Sequence, residues 1–374
     1  MDADVIVVGL GSVGSMACWR LAEVHGAQVI GVEQYALGHD AGGSAGESRL
    51  FRTGYHESPE YVPMLLQARE LWQELERGGR RVLFQTTGVL SIGSPAIAPM
   101  RNVLASVTEH EIPHEVLDAA ELRSRFPQHG SITDEIGVLD RLGGVLRPEP
   151  AVREAQRRAR QAGAELIDNA PVTGIEDVPG GVRVSTARGS RTAKSVVVTA
   201  GAWAAQLLPE LRELLEIRPL VLTWFAPEDP AAFAPEVFPG FIRDLGDVHL
   251  FGIPSVDGAL VKAGWADNWG SIGEPGQLVR FREPRELAGV GAQVHELVPG
   301  LPAHPSRHSA HVDAYTPDRR AVIGAVQPGV VVVAGLSGHG FKLAPAFGEI
   351  AARSALGLPQ QHDISRFSPA RFGG

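Results

Sequence analysis

The chain reads as an α/β protein in which a parallel-sheet domain is joined to a second domain built on a mixed or antiparallel sheet. Three observations predict this. A buried strand runs into a glycine-punctuated turn and a helix near the N-terminus, β-like runs crowd residues 217–264, and an apolar strand at 329–335 leads into another glycine loop and helix. At a rough 150 residues per domain, the 374 residues also allow two domains and a sizeable core.

Val5, Ile6, Val7 and Val8 make a continuous apolar strand that enters Gly9-x-Gly11-x-x-Gly14; residues 15–24 read as a helix, and a second apolar run, 28–32, ends at Glu33. That order is the βαβ fingerprint of dinucleotide binding, a Rossmann-type unit. Gly9 permits the tight turn, Gly11 lets a pyrophosphate approach the backbone, and Gly14 lets helix and strand pack closely. The helix N-terminus faces the phosphates. Glu33 is placed for ribose hydroxyls, and its charge disfavours a 2′-phosphate.

The amphipathic stretch 63–78 follows, with Leu65, Leu66, Ala68, Leu71, Trp72 and Leu75 at helical spacing. Residues 82–92 read as one strand, 98–109 and 119–126 as helices, and 136–146 as strand and turn. A helix at 150–162 precedes strands at 164–167, 182–185 and 195–199. The last ends in the small-residue turn Ala200-Gly201-Ala202-Trp203, a second place where backbone can approach a cofactor. Strands at 220–225, 241–243, 249–253 and 259–263, with proline-rich 227–239 as loop, predict the antiparallel sheet. Residues 329–335 form a buried strand, 336–340 a glycine loop and 341–356 a helix.

Composition narrows the function. With 34 basic against 43 acidic residues the net charge is -9, the wrong sign for a phosphate-backbone binder, so no nucleic-acid partner is expected. The single cysteine, Cys18, excludes an internal disulfide framework and any multi-cysteine metal site, and fits a cytoplasmic protein. No apolar run approaches the ~20 residues a bilayer requires. The N-terminal Met1-Asp2-Ala3-Asp4 is acidic, with no basic leader expected. His304, His308 and His311 suggest a metal triplet, but Pro305 breaks helical spacing and no acidic or cysteine partner completes it, so no metal is expected.

The fingerprint, Gly46-Glu-Ser-Arg-Leu-Phe-Arg52, Gly88-Val-Leu90, Gly201-Ala-Trp203, Val261-Lys262-Ala-Gly264, Tyr315-Thr316 and Gly338-His-Gly-Phe-Lys342 occur in the order seen in monomeric sarcosine oxidase and N-methyltryptophan oxidase. In that order they resemble this family over nearly the whole chain. The resemblance implies the two-domain architecture of D-amino acid oxidase, an FAD cofactor, oxidation of the secondary amine of an amino acid, and oxygen as acceptor with peroxide released. It implies an FAD-binding domain from 1–84, 144–216 and 306–374, a substrate-binding domain from 85–143 and 217–305, and a monomer.

The residue roles follow from the same resemblance. Arg52 and Lys342 fall where the family binds the substrate carboxylate; a planar guanidinium fork and a compact ammonium suit that task. Lys262 matches the lysine that promotes reaction with oxygen, where a localised positive charge stabilises developing negative charge. Arg49 matches a neighbouring cation at the ring, and Tyr315 an aromatic shared by flavin and substrate. Gly335, Gly338, His339, Gly340 and Phe341 would offer backbone N–H groups to the flavin. Ser12, Val13, Gln34 and Ser44, with Val172, Ala200, Gly201 and Trp203, complete the cofactor contacts.

Three departures sharpen this. Asp313 stands where covalent members carry the flavin-linked cysteine, so FAD is expected without a covalent bond. Ala266 and Ala45 replace polar residues near the oxygen-reactive lysine and Arg49, enlarging or depolarising the pocket. A fructosyl amino acid is therefore a second candidate substrate. A nicotinamide-dependent dehydrogenase and a non-catalytic flavin-binding assembly protein stay open as readings from other classes.

Overall fold

A computed structural model describes residues 1–246, 248–266 and 269–372. Its first sheet centres on the Ala3–Val8 strand, buried along nearly its whole length: helices cover one face, and Ile6 and Val8 pack on the other with Val182 and Val184 of a strand and Ala204, Leu208 and Leu211 of short helical turns. Val29–Val32 and Gly189–Val198 flank it in parallel, and Glu165–Ile167 and Val330–Ala334 extend the parallel array outward. The valine- and isoleucine-rich runs are the composition expected of strands buried on both faces. Val172–Val178, Gly181–Thr186 and the start of Gly189–Val198 add an antiparallel meander, and Val322–Gln327 pairs antiparallel with Val330–Ala334.

Helices Ser12–Trp19, Pro148–Gln161 and Ala344–Ala355 pack through Met16, Trp19, Ala155 and Phe347, with Leu65 and Trp72 of the Val62–Glu76 helix completing that core. A second eight-stranded sheet runs from Arg307–Tyr315 through Glu216–Phe225, Val261–Trp265, His249–Ile253, Gly240–Asp244, Val89–Gly93 and Ile136–Asp140 to His114–Leu117. All its pairings are antiparallel except that of Gly240–Asp244 with Val89–Gly93, so the sheet is mixed. The Pro284–Leu297 helix covers it through Leu287, Val290, Val294 and Leu297. A small sheet of Arg49–Phe51, Gly144–Leu146 and Phe84–Thr86 joins the two layers.

Several elements differ from the sequence reading. The first helix starts at Ser12, immediately after Gly11, and closes with a wider π-helical turn, Arg20–Val24. Residues 82–92 are two strands: Gly88 at φ +76 breaks the run, sending Phe84–Thr86 to the small sheet and Val89–Gly93 to the large one. The 341–356 helix opens as a 3-10 turn, Phe341–Leu343. The Pro284–Leu297 helix is absent from the sequence reading, although Glu283 and Glu286 form a capping box at its start. Arg307–Tyr315 is a strand of the second sheet, whereas its sequence assignment was to the segment 306–374 of the other domain. His311 lies on this strand with Nδ1 3.1 Å from the Asp40 carbonyl oxygen, and His308 Nε2 accepts from Arg282 N at 3.0 Å, so the two histidines serve local contacts. Among the described residues no helix is long and apolar enough to cross a membrane.

Candidate active site

The glycine turn is dictated by space. Gly9 sits at φ +90, and a Cβ there would come within 2.8 Å of the Thr199 carbonyl oxygen; one on Gly14 would collide with the Gly9 carbonyl oxygen and with Thr199 Oγ1. Gly11 is open instead: the nearest atom to its Cβ position is Ser44 Oγ at 3.6 Å. Ser12 N donates to that same Ser44 Oγ at 3.1 Å. Glu33, 4% exposed, accepts from Leu10 N at 2.7 Å and Tyr35 N at 3.0 Å. Burial opposes its ionisation, but His39 and these two N–H groups outweigh it and hold the carboxyl below its ordinary range.

From this turn a cavity of about 720 Å³ extends to the second sheet. Its nucleotide end is lined by Gly9, Gly11, Ser12, Val13, Glu33, Gln34, Ser44, Val172, Ala200, Gly201 and Trp203. Gly201 stands at φ +54 with nothing within 4 Å of its Cβ position, so backbone is bare there. Two expected contacts lie behind the wall. Gly14 is packed between helix and strand, and Gly335, at φ +63, is a turn glycine whose Cβ would press on Thr316 and Leu215. Neither lines the cavity.

The other end gathers cations. Lys262, 2% exposed on the Val261–Trp265 strand, donates to the carbonyl oxygens of Gly46 at 3.0 Å and Ser48 at 2.7 Å. These carbonyls are turned toward it by left-handed backbone at Gly46 (φ 112) and Glu47 (φ 68). Glu149 holds that loop from the other side, accepting from Gly46 N and Glu47 N. Arg49 donates to the carbonyls of Ser48, Gly43 and Ala45. Burial pushes Arg49 down to about 10 against the pull of Glu149 and Asp313, and burial followed by Arg49 pushes Lys262 well below its ordinary value. Ala266 lines the cavity, but Ala45 does not; only its carbonyl contributes, through Arg49.

Arg52 and Lys342, both expected at the carboxylate site, meet over one ring. The Arg52 guanidinium lies 5.1 Å and the Lys342 ammonium 5.5 Å from the centroid of Tyr55. Arg52 pairs with both carboxylate oxygens of Glu57 at 3.0 and 3.1 Å, and Lys342 Nζ donates to the His339 carbonyl at 3.2 Å. Burial and Arg52 bring Lys342 down to about 7. Although burial works the other way, Arg52, His339 and Lys342 hold Glu57 well below the carboxylate range.

His339 completes the group, Nδ1 at 2.7 Å from Tyr55 Oη and Nε2 at 2.9 Å from the Arg319 carbonyl. Since a carbonyl only accepts, Nε2 carries the proton and Nδ1 accepts from the tyrosine. Asp313 accepts from Gly338 N at 2.8 Å and from Ala314 N, and burial raises its pKa. Gly338, Gly340, Phe341 and Tyr315 line the same wall; Phe341 is stacked on Trp72 at 5.4 Å, and Arg218 lies 4.7 Å over Tyr315. Glu57, Tyr55, His56, Asp244 and His249 were missed from sequence. No spacing rule points to them, because fold contacts between two sheets and a loop bring them in.

A dinucleotide turn on a parallel sheet, opening into a cation-lined cavity roofed by a mixed sheet, defines a two-domain flavin-type oxidoreductase. Residues 4–354 match the family model described as FAD dependent oxidoreductase (DAO), and the chain belongs to that family. It is 37% identical to monomeric sarcosine oxidase of Streptomyces avermitilis, across 99% of this chain and 97% of that one. It is 35% identical to N-methyl-L-tryptophan oxidase of Yersinia pestis, across 100% of both. Among solved structures, NikD, an unusual amino acid oxidase essential for nikkomycin biosynthesis, shares the fold with a TM-score of 0.85 at 24% identity, covering 98% of this chain and 97% of that one. The chain is thus an FAD-dependent enzyme, and the nicotinamide reading of its fingerprint is overturned. The bare backbone at Gly11 and Gly201 and the pre-held Glu33 carboxylate fit an adenine dinucleotide.

Proposed function

We propose that the protein oxidises the secondary amine of an N-methyl or other N-alkyl amino acid. The observation that carries this is the buried Arg52–Lys342 pair facing the same cavity as Lys262. Arg52 and Lys342 hold the substrate carboxylate, Arg52 exchanging Glu57 for it, and thereby orient the amine. Tyr315 walls the substrate beside them. Bound FAD would supply the acceptor for the hydride of the N-linked carbon, with O2 as the final oxidant and H2O2 as its product. Lys262 would supply a localised charge where oxygen is reduced when it is protonated: the Gly46 and Ser48 carbonyls favour that form, while burial and Arg49 oppose it. The substrate, now an imine, is hydrolysed by water to an amine and a carbonyl product.

The names of the two curated relatives support this reading. A fructosyl amino acid is the second substrate reading, favoured by the small Ala266 in the cavity wall. FAD is held without a covalent bond: Asp313 lines the cavity, while Cys18 is fully buried in the first helix. We assign FAD binding to 1–84, 144–216 and 306–374, with the Arg307–Tyr315 strand crossing to the substrate-binding side formed by 85–143 and 217–305. The protein acts as a cytoplasmic monomer.

Purified protein should carry a bound-flavin visible spectrum, release all its flavin into the supernatant on acid precipitation, and yield peroxide with N-methylglycine or larger N-methyl amino acids. Peroxide from fructosyl amino acids alone selects the second reading. Peroxide from neither, in flavin-loaded protein, overturns both.

A further inference from the structure

The substrate end of the cavity contains a polar group that the mechanism does not use. His56 is 5% exposed, and neither ring nitrogen has a hydrogen-bond partner among the described residues. Its ring meets that of His249 edge-on with centroids 5.4 Å apart. His249 Nδ1 lies 3.2 Å from Asp244 Oδ2, and Asp244 also accepts from Gly246 N at 3.1 Å. Because the carboxylate accepts, Nδ1 of His249 carries its proton and Nε2 remains for another partner. All three side chains line the cavity, beside the apolar Ile242 and Phe251. Buried polar groups in folded proteins are ordinarily satisfied, so an imidazole with two orphaned nitrogens at a cavity wall marks a place where a ligand supplies the partner.

Its position says which part of the ligand. His56 follows Arg52 by four residues, and the charges acting on it are those of Arg52, His249, Glu57 and Lys342. The substrate's α-carbon bears the carboxylate those cations hold, so its side chain leaves from the same spot. Arg52 and Lys342 oppose a cation there, and Glu57 and Asp244 oppose an anion. Burial, with Arg52 adding to it, keeps the His56 ring neutral, with one donor and one acceptor.

We infer that His56 and the Asp244–His249 pair form a side-chain subsite that selects a substrate amino acid whose uncharged side chain carries both a donor and an acceptor, a hydroxyl or a carboxamide. The inference rests on the reading of Arg52 and Lys342 as carboxylate holders. A branched aliphatic chain of the same size leaves both His56 nitrogens orphaned and is disfavoured on the order of tenfold or more.

The test uses the flavin-loaded enzyme and two nearly isosteric substrates, N-methyl-L-asparagine and N-methyl-L-leucine. Binding of the corresponding 2-methoxy acids, which have no oxidisable amine, is measured in parallel by calorimetry. The expected result is about a tenfold preference for the carboxamide in kcat/KM and in Kd. His56→Leu should bring the pair to within about threefold, and His56→Gln, which restores a donor and an acceptor, should keep the preference. The visible flavin spectrum reports that each variant is folded, and the wild-type comparison stands without any variant. Equal or better use of the leucine compound, or a preference that survives His56→Leu, overturns the inference. Absence of peroxide from every N-methyl amino acid overturns the reading of the reaction instead, and the amine-free acids then still report whether the subsite discriminates.

Discussion

Lys342 sits where burial and Arg52 together oppose its charge, and its pKa of about 7 places that conflict inside the working pH range. On the proposed carboxylate role, the protonated form holds the anion and the neutral form does not, so binding should be strong below pH 7 and weaken as pH rises through that value. A substrate amine titrates in the opposite sense, which makes an amine-free carboxylate the clean probe. Its Kd should rise between pH 7 and 9, by at most about tenfold per unit for one linked proton, and Lys342→Met should weaken binding at pH 6 and flatten the curve. A flat wild-type profile removes Lys342 from the site. Lys262 makes a separate prediction: Lys262→Met should slow flavin reoxidation by oxygen by about a hundredfold or more, with reduction by substrate changed far less, as stopped-flow absorbance at limiting oxygen would show. Equal slowing of both half-reactions removes its role. Both lysines were legible in sequence through the motifs around them. Glu57 was not, because only the folded loop shows that Arg52 is already paired.

At the scale of single elements, the nucleotide turn was the most legible part of the chain. Each of its glycines answers a local steric demand, so residue type and spacing suffice to read it. Gly14→Val puts side-chain atoms into the Gly9 carbonyl oxygen, which is backbone, and into Thr199 Oγ1, which is held by the Val8 and Gly9 carbonyls. It should cost on the order of 2 kcal/mol or more of stability, and flavin content should fall with it; denaturant unfolding and the visible spectrum measure the two. Normal flavin loading in that variant would mean the turn can shift, contrary to its packing. The strand break at Gly88 was less legible, since an apolar run continues across it and only the positive φ shows that two sheets share the segment. The Pro284–Leu297 helix carries its signal in Glu283-Pro284-Arg285-Glu286 and in Leu287, Val290 and Val294 at helical spacing, within a stretch otherwise rich in strands. Arg307–Tyr315 alternates polar and apolar residues only from Ser309 to Ala314, and His308 and His311 on it also fit a metal-ligand pattern, so its sequence signal is ambiguous.

Across the whole molecule, one cavity is lined by both large sheets, so the cofactor's binding energy couples them. Removing FAD should lower the melting temperature, because a ligand bound only by the native state stabilises it by about 2.7 kcal/mol at a hundred times Kd. Calorimetry with and without added FAD measures this, and an unchanged midpoint would place the nucleotide outside the folded core. Cys18 gives an independent reading of the same core: fully buried and with its thiol pKa raised by desolvation, it should resist thiol reagents in the native protein and react on unfolding. Sequence by itself determined the dinucleotide turn, the apolar strands, the family resemblance and the identity of the lysines and arginines at the site. These depend on backbone sterics, side-chain volume and chemistry carried by neighbouring residues. Tertiary structure alone decided which glycines face the cavity, that Arg52 and Lys342 share the Tyr55 ring with Glu57 as partner, and that His56 meets His249. Those relations join residues up to nearly three hundred positions apart, and no local period records a contact made by packing a loop between two sheets.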